Sequence, residues 1–380
     1  MFILNNPYVS DFLVETIKKQ GYKVLDNEIS RNYFEKSELT SSEVAKTEEK
    51  FYSNSENSID WIVENLPDSE FSKMIKISKD KALFRKMLSK IYPDYYFKEL
   101  TLFELKKANS KDFKYPFVLK PCVGFLSFGV YPIKNEVEFE KVLSKIDSDI
   151  EKLKGVFPLS VVDCTNFLIE EMIEGEEFAI DAYFDGEGKA TILNIFQHPF
   201  FDENDVSDRI YYSSKEIIKT YLKPFNELLD KIEKEGNYKN FPFHLELRVS
   251  QKGIIPIEIN PMRFCGWCIT DIAQFSWGIN PYVYFMENKK PNWDDILKNA
   301  NDDYFYFTIG DVPSNIDKNS IKEIKYDKYL KNISNPLDVR KIDYKTKPVF
   351  AIVFGRCADI NEIKSLLALN MNEFIAVEKQ

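Results

Sequence analysis

Two glutamates carry the strongest chemical signal in this chain, Glu246 and Glu258, with Asn260 two residues beyond the second. They lie in Phe243 to Arg263, FHLELRVSQKGIIPIEINPMR. In the first half Phe243, Leu245, Leu247 and Val249 alternate with His244, Glu246 and Arg248; in the second, Ile255, Ile257 and Ile259 alternate with Glu258 and Asn260. Period-two alternation marks strands with one apolar face. Gly253 can take the positive φ that closes a short turn, so the stretch reads as a β-hairpin. A turn centred on Lys252 sets Glu246 opposite Glu258 and His244 opposite Asn260, all on the polar face. Opposed Cβ atoms lie about 4.5–5.5 Å apart, where like charges repel. The pair therefore needs a counter-charge. A divalent cation supplies one, and carboxylate and amide oxygens suit Mg²⁺ or Mn²⁺. Neighbouring lysines or arginines on a solvated face would supply it too. Pro256 has no N–H to give the ladder, so its side of the strand must be free there.

The next candidate is YPFVLKPCVGFLSFGVYPI, Tyr115–Ile133. A strand ends at Lys120-Pro121, and Gly124, Ser127 and Gly129 punctuate the loop before a second strand. Such a loop can fold over phosphates with its backbone N–H groups, or it can be only a turn. In NFLIEEMIEGEEFAIDAYF, Asn166–Phe184, an acidic link joins two strands. Its backbone can read an adenine and a carboxylate can take ribose hydroxyls; an acidic turn is the plainer reading. Cys265 and Cys268 form a CxxC. With no second CxxC and only His198 and His244 in the chain, packing beside a loop is its simplest role.

These residues need elements to hold them. Phe2–Asn5, a helix over Tyr8–Gln20 capped by Gly21, and Tyr22–Leu25 form a β-α-β opening of a small open α/β domain, without GxGxxG. Glu35–Lys50 reads as a solvated helix or loop, and Asp60–Leu66 as a short helix. Lys79–Ile91 is an amphipathic helix whose Lys81, Arg85 and Lys86 read as a solvated face. Another helix follows from Glu136 to Ile150. His198–Tyr212 is a long polar-aromatic connection, so Asp208, Arg209 and Tyr211 are candidates to face a substrate. Lys215–Glu233 is helical. Ala300–Gln380 adds strands, Val349–Val353 among them, and a helix over Asn361–Leu369.

The 61 acidic against 51 basic residues, a net charge of −10, disfavour a nucleic-acid partner. Asp11 and Glu15 interrupt the first apolar run, which lacks the basic start of a signal peptide. No window of about 18 apolar residues occurs, so no membrane span is expected. Five cysteines in 380 residues fit a reducing cytoplasm.

The order of these features resembles the ATP-grasp superfamily: a basic helix start, strand–Lys–Gly loop–strand, strand–acidic link–strand, then the Glu…Glu-x-Asn hairpin. The resemblance runs from about Lys79 to Pro281. It implies an α/β ATP-grasp fold in which residues 1–76 are an N-terminal open α/β domain. Residues 77–299 are the ATP-grasp domain, with a lid at about 112–166 and the metal hairpin at 243–263, and 300–380 are a small C-terminal α/β appendage.

By the same resemblance, Lys81 and Lys120 bind nucleotide, and Gly124, Ser127 and Gly129 form the phosphate loop. Glu170, Glu171 and Ile173 face adenine, the last two by backbone. Glu177 takes the ribose, and Glu246, Glu258 and Asn260 hold Mg²⁺ or Mn²⁺. Phe125, Leu126 and Phe128 make the loop bulkier than the family's. Met262 stands where the family often has an arginine, which leaves Arg263, one residue later, to reach the phosphates. Arg248, on the face of Glu246, is positioned either for a substrate carboxylate or for a salt bridge. The implied activity is ATP-dependent ligation of a small-molecule carboxylate to an amine through an acyl phosphate. Other phosphoryl transfer or carboxylation, or nucleotide binding without turnover, are the alternatives. The partners implied are small molecules, with no nucleic acid and no membrane; a homodimer is compatible.

Overall fold

The computed structural model describes residues 1–124, 129–153, 163–202, 205 and 207–378. These pack into two compact units. One comprises Met1–Gly175, Asp181–Thr191 and Asn226–Cys268; the other, Glu176–Ile180, Ile192–Phe225 and Ile269–Gln380.

The first unit opens with the expected β-α-β. The strands Phe2–Ile3 and Val24–Leu25 are parallel and shorter than the pattern suggested. Between them the helix Asp11–Gln20 starts where the Ser10 hydroxyl accepts from the Leu13 N–H. It stops at Gly21, whose φ of +66° lets the cap N–H return to the last carbonyls. Leu39–Thr40 and Tyr52–Ser53 complete a four-stranded parallel sheet.

The helix expected over Lys79–Ile91 runs from Lys81 to Leu88, and a separate helix, Glu70–Lys79, precedes it. Asp80 divides them. Its backbone is extended, and its carboxylate accepts from the Ala82 and Leu83 N–H groups as the second helix's N-cap.

A four-stranded antiparallel sheet follows, in the order Phe97–Thr101, Asp163–Glu171, Phe117–Val123, Tyr131–Ile133. The strand at Lys120 does not end at Pro121, as the sequence suggested, but runs on to Val123. Pro121 still pairs with Phe167, and the ladder becomes irregular only between Pro121 and Val123. Phe139, Val142 and Ile146 of the helix Glu136–Leu153 pack with Phe117, Leu119, Ile133, Phe167 and Ile169 in one core.

In the second unit the antiparallel strands Ile210–Ser214, Tyr304–Asp311, Val349–Cys357 and Pro336–Lys341 lie side by side in that order. Tyr306, Phe350, Val353 and Leu366 anchor their core. Among the described residues no helix is long and apolar enough to cross a membrane.

Candidate functional site

The hairpin forms from Phe241–Ser250 and Gly253–Pro261, with Glu246 paired to Glu258 and His244 to Asn260. Both pairings match the expectation, although the turn is not centred on Lys252: Ser250 pairs with Gly253 and Val249 with Ile254. Beyond Glu246 the register shifts, so that Leu247 meets Pro256 and Ile257 bulges out. The bulge falls beside Pro256, the residue that has no N–H to give the ladder. Arg85 Nη2 donates to the Ile257 carbonyl at 3.1 Å, joining the hairpin to the helix Lys81–Leu88.

On the polar face Asn260 Nδ2 donates to Glu246 Oε1 at 3.1 Å, and Lys81 Nζ lies 2.8 Å from Glu258 Oε2. The counter-charge that the opposed carboxylates need is therefore present as a lysine. Burial opposes ionisation of Glu258, but Lys81 and Lys120 outweigh it and hold the carboxyl at about 2.

The lysine belongs to a longer run of buried charges. Lys81 and Lys79 both donate to the Gly124 carbonyl, at 3.0 and 3.2 Å. Lys79 also pairs with Glu56, and Arg263 donates to Glu56 Oε1 through Nε at 2.9 Å and Nη2 at 2.6 Å. Glu170 accepts from Arg85, Lys120 and, at 3.2 Å, the Tyr95 hydroxyl. Burial works against the Glu170 charge, yet Arg85 and Lys120 hold its carboxyl at about 2. For Lys120 burial dominates, and its ammonium falls below the usual lysine range.

Arg85 is 2% exposed and Lys81 7%, so the face read as solvated is buried at both positions; Lys86, paired with Glu99, does face solvent. Lys81 and Arg85 are four apart and so share one helix face. That spacing was the available clue, and their charge obscured it. Glu56, Lys79 and Tyr95 had no local signal.

The acidic link is braced by the same unit. The Glu171 N–H donates to the Tyr96 carbonyl, its own carbonyl accepts from the Tyr95 hydroxyl, and the Ile173 carbonyl accepts from Arg248 Nη1 at 2.7 Å. One arm of the Arg248 guanidinium is thus on the link. Gly129 sits at φ +71° against the Pro121 ring. Ser127, with Phe125, Leu126 and Phe128, lies outside the described residues.

In the other unit, Glu177 Oε1 lies 3.0 Å from His198 Nδ1, and the imidazole stacks on Tyr211 with centroids 4.0 Å apart. Tyr211 donates to Asp208, and Arg209 donates to the Leu367 and Leu369 carbonyls at 3.2 Å each. The connection before them is shorter than expected, because Ile210–Ser214 is a strand. Cys265 and Cys268 are buried free thiols; the Cys265 N–H donates to Asp181 Oδ1, which also accepts from His244 Nδ1 at 2.7 Å.

Among the described residues no group of three or more His, Cys, Asp or Glu is arranged to hold a metal ion. Glu246, Glu258 and Asn260 offer two carboxylates and one amide instead. Their oxygens fit Mg²⁺ or Mn²⁺ in kind, and Lys81 already marks the place of a positive charge.

The ATP-grasp domain family matches residues 113–271. The chain carries an ATP-grasp domain. Solved structures extend the ATP-grasp fold over nearly the whole chain. An L-amino acid ligase from Bacillus licheniformis aligns with 100% of this chain and 98% of its own, at 15% identity and a TM-score of 0.69. N5-carboxyaminoimidazole ribonucleotide synthetase from Thermotoga maritima aligns over 100% and 99%, at 14% identity and 0.63. The biotin carboxylase domain of the Hydrogenobacter thermophilus 2-oxoglutarate carboxylase, solved with MgADP, ADP and bicarbonate, aligns over 99% and 90%, at 15% identity and 0.64. At such identities the likeness establishes the α/β ATP-grasp fold, and the similar structures include both ligases and carboxylases. No curated protein sequence matches this chain.

Proposed function

We propose that the protein is an ATP-dependent ligase that activates a small-molecule carboxylate as an acyl phosphate and joins it to an amine, releasing ADP and phosphate. The observation that carries this reading is the buried run of cations, Lys79, Lys81, Lys120 and Arg263, beside two carboxylates forced face to face in an ATP-grasp domain. Phosphoryl transfer asks chiefly for alignment and neutralised charge. Lys81 and Lys120 would neutralise phosphate oxygens, each leaving an acidic partner to do so. Gly124, Ser127 and Gly129 would cover the phosphates, and Arg263 would bear on the group in transfer.

Glu170, Glu171 and Ile173 would border the adenine. The Glu171 and Ile173 carbonyls already have donors, so adenine would share or replace Tyr95 and Arg248 there. Glu177, held by His198, would take the ribose. Arg248 would exchange the Ile173 carbonyl for the substrate carboxylate. Magnesium or manganese held by Glu246, Glu258 and Asn260 would supply the remaining neutralisation of the phosphates. The linear division at residues 76 and 299 belongs to the same reading, as does a cytoplasmic setting, which the five free thiols support.

The test is mass spectrometry of metabolite mixtures incubated with the protein, ATP and Mg²⁺. A condensed product that appears together with ADP supports ligation. ADP release that requires bicarbonate supports carboxylation instead, and absence of both products from every mixture overturns the ligase.

A further inference from the structure

We infer that Glu56 is a positioning residue for this reaction, holding Arg263 and Lys79 from a part of the chain to which the ATP-grasp resemblance assigns no site residue. The inference rests on the nucleotide site proposed above.

Glu56 begins a short turn, Glu56–Ser58, that is held by hydrogen bonds among neighbouring serines. The Ser53 hydroxyl donates to the Ser55 carbonyl at 2.8 Å and lies 2.9 Å from the Ser58 hydroxyl, while the Ser55 N–H donates back to Ser53 Oγ. The carboxylate, 5% exposed, then accepts from both Lys79 and Arg263. Its pKa lies below the ordinary range, since burial opposes the charge but Lys79 and Arg263 outweigh it.

One carboxylate here binds two cations, and each continues toward the site. Lys79 shares the Gly124 carbonyl with Lys81, which pairs with Glu258. Arg263 is near enough to Glu246 for the two charges to interact.

A second link joins the same two segments through the backbone. The Ser53 N–H donates to the Met262 carbonyl at 2.8 Å, and the Met262 N–H donates to the Pro242 carbonyl at 2.9 Å. Met262 has a φ of +70°, a costly conformation for a side chain of that size, which persists only where its surroundings enforce it. Arg263 therefore leaves a constrained backbone and meets a constrained carboxylate. Its guanidinium is aimed from both ends.

Calorimetric titration with the Mg²⁺ complex of a β,γ-imido ATP analogue, beside thermal melting, tests this on wild type, Glu56→Gln, Arg263→Gln and the double variant. Each single variant is expected to weaken binding roughly tenfold. The double is expected to bind about as Arg263→Gln does, because Glu56 acts through the arginine. Where Glu56→Gln fails to melt cooperatively, Glu56→Asp carries the test: it keeps the charge, shortens the reach, and is expected to weaken binding while still melting cooperatively. Wild-type affinity in the folded Glu56 variant, or losses that simply add in the double, overturns the inference and leaves the nucleotide site standing. A wild-type protein that does not bind the analogue overturns both.

Discussion

Both compact units bury ion pairs, and they do so differently. In the second unit Arg340 lies 2.8 Å from Asp271 and 2.8 Å from Asp338, with its guanidinium over the Phe354 ring, while Asp271 also accepts from Tyr282. Cation, carboxylates and hydroxyl alternate, and both Asp271 oxygens have donors. In the first unit like charges crowd together. Glu246 faces Glu258, Lys79 and Lys81 share one carbonyl, and Lys120 and Arg85 share one carboxylate. Folding alone favours the alternating arrangement, since a buried charge costs several kcal/mol unless well paired. Crowded like charges make sense where another highly charged molecule completes the balance. Under the proposed function, the contrast is between a network that holds structure and one that receives a nucleotide.

The largest test of that contrast is Asp271→Ala. It leaves Arg340 buried beside a weaker partner set, and the expected loss is about 3–5 kcal/mol in denaturant unfolding. Nucleotide affinity of the folded variant should not change; a matching loss of affinity would erase the distinction between the two networks.

Acid provides the second. The Glu170 carboxyl sits at about 2 in the folded protein against an ordinary 4.5. A depressed carboxyl stabilises above its unfolded pKa, so the contribution is complete above about 4.5 and disappears as pH falls toward about 2. It amounts to about 3 kcal/mol. The stability difference between wild type and Glu170→Gln should shrink across that window; a difference independent of pH would place the stabilisation elsewhere.

Third is Glu258→Gln, which keeps the shape and removes the charge. In a mixture that supports wild-type turnover, ADP release should fall at least roughly tenfold while melting stays cooperative. Unchanged turnover with unchanged Mg²⁺ dependence would return the hairpin to the structural class of the Arg340 network. The smallest effect is expected at the turn. Gly253 has φ +116° with open space around it, so Gly253→Ala meets only backbone strain, roughly 1 kcal/mol. A much larger loss in melting would show that the turn does more than set the register.

Local pattern was enough to find the hairpin and its polar face, because strand geometry repeats every two residues. It did not anticipate the bulge beyond Glu246 that brings Glu246 opposite Glu258. Helical spacing and Gly21 also found the first helix, expected over Tyr8–Gln20 and formed over Asp11–Gln20. Local pattern failed where charge was taken to mean exposure. Lys81 and Arg85 are inside because acidic partners wait there, and no window around them contains those partners.

From its order of residues alone, the chain determined that two glutamates and an asparagine would share the polar face of one hairpin and that a positive charge would be needed there. Only the tertiary structure decided the exact register, through the bulge, and which groups meet those charges. Lys81 reaches Glu258 from a helix far earlier in the chain, and Arg263 meets Glu56 across 207 positions. A strand's register follows from dihedral angles that each residue carries locally. An ion pair follows from where packing brings distant segments, and that depends on the whole core at once.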